Sequence, residues 1–184
     1  MVLPGHLAGG YLVAYAFINL THASSLPPVQ VGILYAIGML AGEGPDMDLL
    51  FFYREYAKQK IHKISSHREY MTHAPIFWLA SSAAIILCGI VSSSPFISSA
   101  GWIALGGSFS HLIFDSIEDG IRWLWPISDR WFYLIKASHK DGIDAQKGTF
   151  AYYWKYIFHV YIRHWTLYAE ISIVIVAILV AIKG

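Results

Sequence analysis

Five apolar segments separated by short polar breaks form the main pattern of this chain. Counting histidine as neutral, no charged side chain occurs in residues 1–42 or in residues 70–114. The sequence THASSLPP interrupts the first block and SSSP the second, and both contain the Ser and Pro residues that are typical of turns. The predicted helices cover residues 3–20, 29–41, 76–91, 96–116 and 166–182. The pattern therefore predicts two helical hairpins followed by a C-terminal helix.

The composition favours a membrane environment for these helices. Of the 184 residues, 56% are hydrophobic and 14% are charged, against about 25% charged in an ordinary soluble domain. A charged group costs about 2.5–3.5 kcal/mol at a bilayer centre, so lipid selects long uncharged blocks. A buried soluble core is the competing interpretation. We predict an all-α integral membrane bundle of about five membrane helices, forming a single domain over residues 1–184.

The basic residues predict the orientation of the bundle. Twelve of the thirteen Lys and Arg residues lie in residues 54–68 and 122–163, which hairpin topology brings to one side. By the positive-inside rule this side is cytoplasmic, so we expect a multi-pass protein of the inner or plasma membrane with its N-terminus inside. The first hairpin either spans the bilayer or is re-entrant, because residues 29–41 would cover only about 20 Å. No Lys or Arg precedes the first segment, so we expect it to be retained rather than cleaved.

An aromatic-rich segment precedes the last helix. Residues 118–165 contain five of the seven Trp residues, interleaved with Tyr, Phe and basic residues. A helix that starts after Thr149 could lie along the headgroup layer, where amphipathic rings and long cations are favoured. We interpret it as an interfacial anchor, and a substrate-binding lid is the alternative.

Net charge and cysteine content narrow the chemistry further. Thirteen basic and twelve acidic residues give a net charge of +1, so we expect no direct binding of nucleic acid. The single cysteine, Cys88, excludes an internal disulfide framework and a zinc site built on cysteine pairs. Any metal site must therefore use His, Asp or Glu.

Seven imidazole and carboxylate groups lie at the predicted helix ends. His111 and Asp115 are four residues apart, so they share one helix face and make half of a zinc or manganese site. Each group also has a simpler explanation: His6 as a packing or capping residue, the acids of GEGPDMD as a solvated turn, and His111–Asp115 as a hydrogen bond. The hairpin topology nevertheless brings all of them to one membrane face. The predicted metal ligands are His6, Asp46, Asp48, His67, His73, His111 and Asp115.

This ligand set predicts one or two divalent ions, with Zn²⁺ preferred and Mn²⁺ or Fe²⁺ as alternatives. Tetrahedral or five-coordinate zinc with three or four protein ligands, respectively, keeps a position for water and lowers the pKa of that water toward about 7, so hydrolysis is the expected reaction. We expect Thr72 to cap the third helix, with Pro75 in its first turn. Glu118 and Asp119 are either additional ligands or acids at a helix end.

The ordered motifs resemble those of a known family. His6, PDMD, HREYMTH and HLIFD, followed by Gly120 and Pro126, are similar to the YdjM-like family of LexA-binding, inner membrane-associated hydrolases. The resemblance covers residues 3–126. It implies a helical membrane fold, a metal site at the seven residues, and a role for Arg68 in the family's HR pair. The His-x3-Asp spacing is also similar to a ligand pair of zinc-dependent phospholipase C and P1 nuclease, which makes phosphoesters the first substrate class to consider.

Two main classes of function stay open. In the first, the protein is a metal-dependent hydrolase of a phosphoester or lipid head group at the cytoplasmic face. Arg68 would bind substrate oxyanions and Glu43 or Glu69 would act as general base. In the second, the cluster holds a structural metal and the loops recruit an unidentified protein partner. An ion transporter is a third class, for which only Asn19 and Glu170 lie near mid-bilayer. Membrane lipids and an amphiphilic phosphoester are the expected partners.

Overall fold

The computed structural model describes residues 3–49, 51–52, 54, 67–135 and 154–183. Helices account for 82% of these residues. Within the same ranges no strand forms, and the β contact is an isolated bridge between Ile121 and Phe132. The predicted all-α class is therefore confirmed.

Five long helices coincide with the five apolar segments. They are α1 (Leu3–Leu20), α2 (Pro28–Glu43), α3 (Pro75–Val91), α4 (Pro95–Glu118) and α5 (Trp165–Lys183). Pro28, Pro75 and Pro95 start their helices in the first turn, where the missing N–H would have had no intrahelical partner. Short 3-10 turns, Gly44–Asp48 and Met71–His73, flank α2 and α3.

The predicted N-cap of α3 is wrong. The N-cap residue is Ala74, which makes no side-chain cap hydrogen bond. The Thr72 hydroxyl donates instead to the Asp48 carboxylate. A hydrogen bond to an ionised oxygen is stronger than one to a neutral acceptor, and this one ties the turn before α3 to the turn after α2.

Helix α4 lies at the centre of the bundle. It packs against α3 along their hairpin and against both α1 and α2, while α5 packs on α1. A buried cluster of Ala14, Ile18, Leu34 and Ile103 joins α1, α2 and α4. This arrangement brings the start of α1, the end of α2 and the end of α4 to one end of the bundle.

Glycines let these three helices approach at backbone distance. A Cβ atom on Gly10 would lie 2.1 Å from the carbonyl oxygen of Gly38, and one on Gly42 would lie 2.4 Å from that of His6. A Cβ on Gly107 would lie 2.9 Å from the same Gly38 oxygen. No larger residue fits at these crossings. Gly107 of α4 therefore serves packing between helices of the same bundle.

In the part of the chain that the structure describes, two helices are long and apolar enough to cross a membrane, namely α4 and α5. Helix α3 is apolar but has only 17 residues. Helix α2 has 16 residues, because prolines lie at its start and shortly after its end. The prediction of about five membrane helices is thus not confirmed. On α5, Ile171, Ile175, Ile178 and Ile182 are exposed at spacings of three and four residues. They form one apolar face, as a lipid-facing helix requires.

Part of the predicted interfacial segment and of the basic clusters lies outside the described residues. Thr149, the expected start of the interfacial helix, is among them. In residues 154–163 the backbone is helical, with a π-helical turn over Tyr156–Val160 followed by a 3-10 turn over Tyr161–Arg163. The basic residues outside the described part are Lys58, Lys60, Lys63, Lys136, Lys140 and Lys147.

The carboxylate of Glu170 joins the last helix to the first. Its Oε1 accepts the backbone N–H of Gly5 at 2.9 Å, and its Oε2 accepts the Tyr161 hydroxyl. Glu170 is 4% exposed. An acid at a helix N-terminus satisfies an N–H group and complements the helix dipole. Glu170, considered above for ion transport, therefore anchors α5 to the start of α1.

Replacing Glu170 with Ala should destabilise the protein, because Gly5 and Tyr161 would each keep a buried donor without this acceptor. We expect a loss of about 2 kcal/mol in the free energy of unfolding, measured by near-UV circular dichroism during thermal unfolding in detergent. Tyr161→Phe removes one of the two hydrogen bonds and should cause a smaller loss. Equal stability of Glu170→Ala and the wild type would contradict this anchoring role.

Candidate metal centre

Four of the seven predicted ligands converge at one point. They are Asp46, from the turn after α2, His73, from the turn before α3, and His111 and Asp115, from the last turns of α4. One ligand atom from each residue lies within 4.8 Å of all the others. His73, His111 and Asp115 are 1% exposed or less. This group of residues is called the metal centre below.

The distances within the metal centre fit ligands of a shared cation. Asp46 Oδ1 lies 3.3 Å from His73 Nε2 and 3.7 Å from His111 Nε2. Asp115 Oδ2 lies 3.7 Å from His111 Nε2 and 4.0 Å from His73 Nε2. Neighbouring ligands of a tetrahedral zinc ion are about 3.4 Å apart, given metal–ligand bonds of about 2.1 Å. The side chains are therefore spaced to bind one ion with small adjustments.

Buried atoms without hydrogen-bond partners point to the same conclusion. Nε2 of His73, Nε2 of His111 and Oδ1 of Asp46 are buried, and no hydrogen bond to them forms in the described part of the chain. Buried polar atoms in folded proteins nearly always have a partner, and each exception needs a cause. A cation between these atoms would supply the missing partner.

The Nδ1 atoms of His73 and His111, on the side of each ring away from the metal centre, each contact an oxygen atom. His111 Nδ1 lies 2.7 Å from the carbonyl oxygen of Gly42, and His73 Nδ1 lies 2.9 Å from Asp48 Oδ2. Neither oxygen can donate, so each Nδ1 carries a proton and each Nε2 is directed to the metal centre, where the neutral ring would offer its lone pair to a cation. Such contacts orient metal-binding histidines. Asp48, predicted as a ligand, is thus placed behind His73.

His67 and His6 flank the metal centre on two sides. His67 Nε2 lies 3.3 Å from Asp46 Oδ1. The His6 ring stacks on His111 with centroids 3.8 Å apart, and its Nε2 lies 3.6 Å from Asp115 Oδ1. Both ring nitrogens of His6 are buried without a hydrogen-bond partner among the described residues. Each flanking imidazole therefore places a ring nitrogen beside one carboxylate of the metal centre.

The electrostatics of the two turns favour a bound cation. Burial lowers the pKa of the His67 imidazole and outweighs the nearby carboxylate of Asp46, which favours the neutral form of the ring. Burial would raise the pKa of Asp46, but the adjacent imidazoles hold it well below its usual range. Burial also lowers the pKa of His73, but Asp46 and Asp48 raise it above 6.5. The negative charge of these carboxylates, which favours a proton on His73, also favours a metal ion at the same place.

Comparison with known proteins assigns the chain to a family. The model of the YdjM inner membrane protein family matches residues 1–184. The chain belongs to this family. The predicted YdjM-like resemblance is thereby confirmed, and it extends beyond residues 3–126. No curated protein and no solved structure matches the chain.

In this YdjM family member Arg68 lies against two carboxylates at the edge of the metal centre. Its Nε donates to Asp115 Oδ2 at 2.5 Å and its Nη2 donates to Asp119 Oδ2 at 2.9 Å. Asp119 follows Asp115 by four residues, so the two carboxylates lie on the same helix face. This spacing could have predicted that one side chain contacts both of them. Asp119 is thus neither a ligand of the four-residue group nor a plain helix-end acid, since it helps to hold Arg68 beside Asp115.

Two further residues that position the site have no motif of their own. Trp78 Nε1 donates to the carbonyl oxygen of Thr72 at 2.7 Å, and its ring leaves no room for a Cβ on Gly44. Arg122 Nη2 donates to the carbonyl oxygen of Glu69 at 2.5 Å. These contacts fix the His67–Glu69 and Met71–His73 turns against their neighbours.

Proposed function

We propose that this protein is a membrane-bound, metal-dependent hydrolase that cleaves a phosphoester, such as a lipid head group, at the cytoplasmic face. The observation that carries the proposal is that His73 Nε2, His111 Nε2 and Asp46 Oδ1 are buried side by side and form no hydrogen bond among the described residues. Two His and two Asp ligands suit zinc, and manganese or iron is compatible with the same donors. A second ion would use His6 or His67, together with the carboxylate that each approaches.

The reaction proposed is hydrolysis of a P–O ester bond. The oxygen of a water molecule attacks phosphorus, the bond to the leaving alcohol breaks, and the proton of the water passes to a base and then to the leaving oxygen. A bound divalent ion supplies the acidified water and stabilises charge on the phosphate. Arg68 is the proposed contact for a phosphate oxygen, since a guanidinium stays positively charged and has five N–H donors, and the two carboxylates hold it at the edge of the site.

Glu43 is the proposed general base. It ends α2, and its Oε1 is buried without a hydrogen-bond partner among the described residues. Burial and the charge of Asp46 raise the pKa of Glu43 to about 7. A carboxylate with a pKa near the working pH is well suited to accept and return a proton.

The proposed test measures metal content and turnover together. Detergent-purified wild type and His111→Ala would be compared by elemental analysis and by a screen of phosphomonoesters, phosphodiesters and phospholipids. We expect near-stoichiometric metal and hydrolysis of one of these classes in the wild type, and loss of both in His111→Ala. His22→Ala, at the exposed His22 of the connection between α1 and α2, is the matched control and should keep both. Unchanged metal in His111→Ala would remove this residue from the site.

A structural metal site that supports recruitment of a protein partner is the second candidate. It is favoured by the closure of the site, because four protein ligands with three of them almost fully buried are typical of structural zinc. Removal of the metal with a chelator separates the two candidates. In a hydrolase this should abolish turnover while the protein stays folded, whereas a structural site should lose folded protein.

A further inference from the structure

The loop that follows α4 provides hydrogen-bond donors to the end of that helix. The carbonyl oxygen of Ser116 accepts the N–H of Leu134 at 2.9 Å, and that of Ile117 accepts the N–H of Ile135 at 2.8 Å. Carbonyl groups in the last turn of a helix have no partner within the helix, and at an end exposed to water the solvent can satisfy them. Here the peptide groups of residues 120–135 take that place. This segment is called the capping loop below.

Backbone and side-chain contacts hold the capping loop in a defined position. Ile121 and Phe132 exchange two backbone hydrogen bonds, of 3.0 and 2.9 Å, and Ile121 is fully buried. The indole Nε1 of Trp123 donates to the Ser116 hydroxyl of α4 at 2.8 Å. The loop is therefore packed onto α4, and the fold itself determines which of its other side chains point outward.

The capping loop nevertheless exposes large apolar side chains. Between 51% and 91% of the surface of five of them is exposed, namely Leu124, Ile127, Phe132, Leu134 and Ile135. Exposed apolar surface of this kind marks a contact with another molecule or with a membrane. Leu134 and Ile135 are the two residues whose N–H groups cap α4, so the apolar surface begins at the helix end itself.

Three observations identify lipid as the material that covers this surface. Helix α4, on which the loop is packed, is long and apolar enough to cross a membrane. In lipid an unpaired carbonyl group is costly because no water reaches it, so a helix end below the water boundary needs the peptide partners that the capping loop supplies. Arg130 is exposed in the same loop, and long cationic side chains of this kind extend from apolar surroundings to the head groups.

We propose that the capping loop is a lipid-contact surface, with its apolar side chains at the boundary between head groups and acyl chains. The last turns of α4, which carry His111 and Asp115, then lie at head-group depth. This inference concerns the position of the loop and does not depend on the proposed hydrolysis. It adds a reason to consider a membrane lipid as the substrate, since such a molecule would reach the metal centre without leaving the bilayer.

The test measures which quencher reaches a fluorophore on the capping loop. Cys88→Ser first removes the exposed native cysteine. Ile127→Cys and Leu134→Cys are then each labelled with a polarity-sensitive fluorophore, and the full chain is reconstituted into vesicles of phosphatidylethanolamine and phosphatidylglycerol. Ser24→Cys, in the exposed turn His22–Ser25 between α1 and α2, is the matched control.

We expect a lipid with a doxyl group high on its acyl chain to remove most of the fluorescence at positions 127 and 134, and iodide on both sides of the vesicles to remove little. The label at position 24 should show the reverse order. Quenching by iodide at 127 and 134 as strong as at 24 would overturn the inference, because the loop would then lie in water. Protection from both quenchers would also overturn it, because protein rather than lipid would cover the surface. Either labelled position answers the question if the other variant does not fold.

Discussion

Asp115→Asn is expected to lose most of its bound metal and, with it, the proposed hydrolysis. Asp115 is 1% exposed and lies beside three imidazoles, those of His6, His73 and His111. Loss of an outer contact in a metal site already costs roughly 10–100-fold in affinity, so loss of a ligand should exceed about 100-fold. Elemental analysis after dialysis would measure the metal, and the phosphoester screen would measure turnover.

The same substitution should also destabilise the fold, because the Arg68 guanidinium would keep only Asp119 of its two carboxylates. Breaking a largely buried ion pair costs about 3 kcal/mol or more. Asp129→Asn is the matched control: it removes an acid that lies 3.3 Å from Arg122, but Asp129 is 83% exposed. An exposed pair contributes at most about 1 kcal/mol, so the control should keep both metal and stability. Full metal content in Asp115→Asn would exclude Asp115 as a ligand.

Gly42→Val is expected to destabilise the protein at the crossing of α1 and α2. The new Cβ would lie 2.4 Å from the carbonyl oxygen of His6, which is part of the α1 backbone and cannot move aside alone. Overpacking of this kind costs about 1–3 kcal/mol and can exceed that range where backbone must shift. The shift would also move the Gly42 carbonyl oxygen away from His111 Nδ1, so metal content should fall as well.

Gly32→Val on the same helix is the control, because a Cβ on Gly32 meets nothing within 4 Å. Both variants replace Gly by Val inside α2, so the change in intrinsic helix propensity cancels between them. Size-exclusion chromatography and thermal unfolding in detergent would measure the difference. Equal behaviour of the two variants would show that the α1–α2 crossing tolerates a side chain.

The long helices could be predicted from sequence because their boundaries are local. Pro28, Pro75 and Pro95 each start a helix in the first turn, and the apolar runs that follow have helical length. The number of membrane crossings could not be predicted in the same way. A run such as α3 is apolar enough for lipid, but its 17 residues are marginal for a full crossing.

The convergence of the candidate site at one end of the bundle could be predicted from sequence, but its layout could not. Spacing places His111 and Asp115 on one helix face, and hairpin topology brings Asp46 and His73 to the same end. Whether an acid faces the centre or stands behind a histidine depends on side-chain directions in turns, which no periodic pattern encodes. Asp48 is such a case, since it accepts from Thr72 and His73. The contact of Arg68 with Asp115 likewise joins residues 47 positions apart.

The hydrogen bond from Gly5 to Glu170 has a consequence for how the protein is made. It joins residues 165 positions apart, so during translation nearly the whole chain must leave the ribosome before the first helix receives its final anchor. His6 is the neighbour of Gly5 and stacks on His111. Its position beside His111 is therefore secured only after α5 has entered the bundle, so this side of the candidate site is completed late in biogenesis.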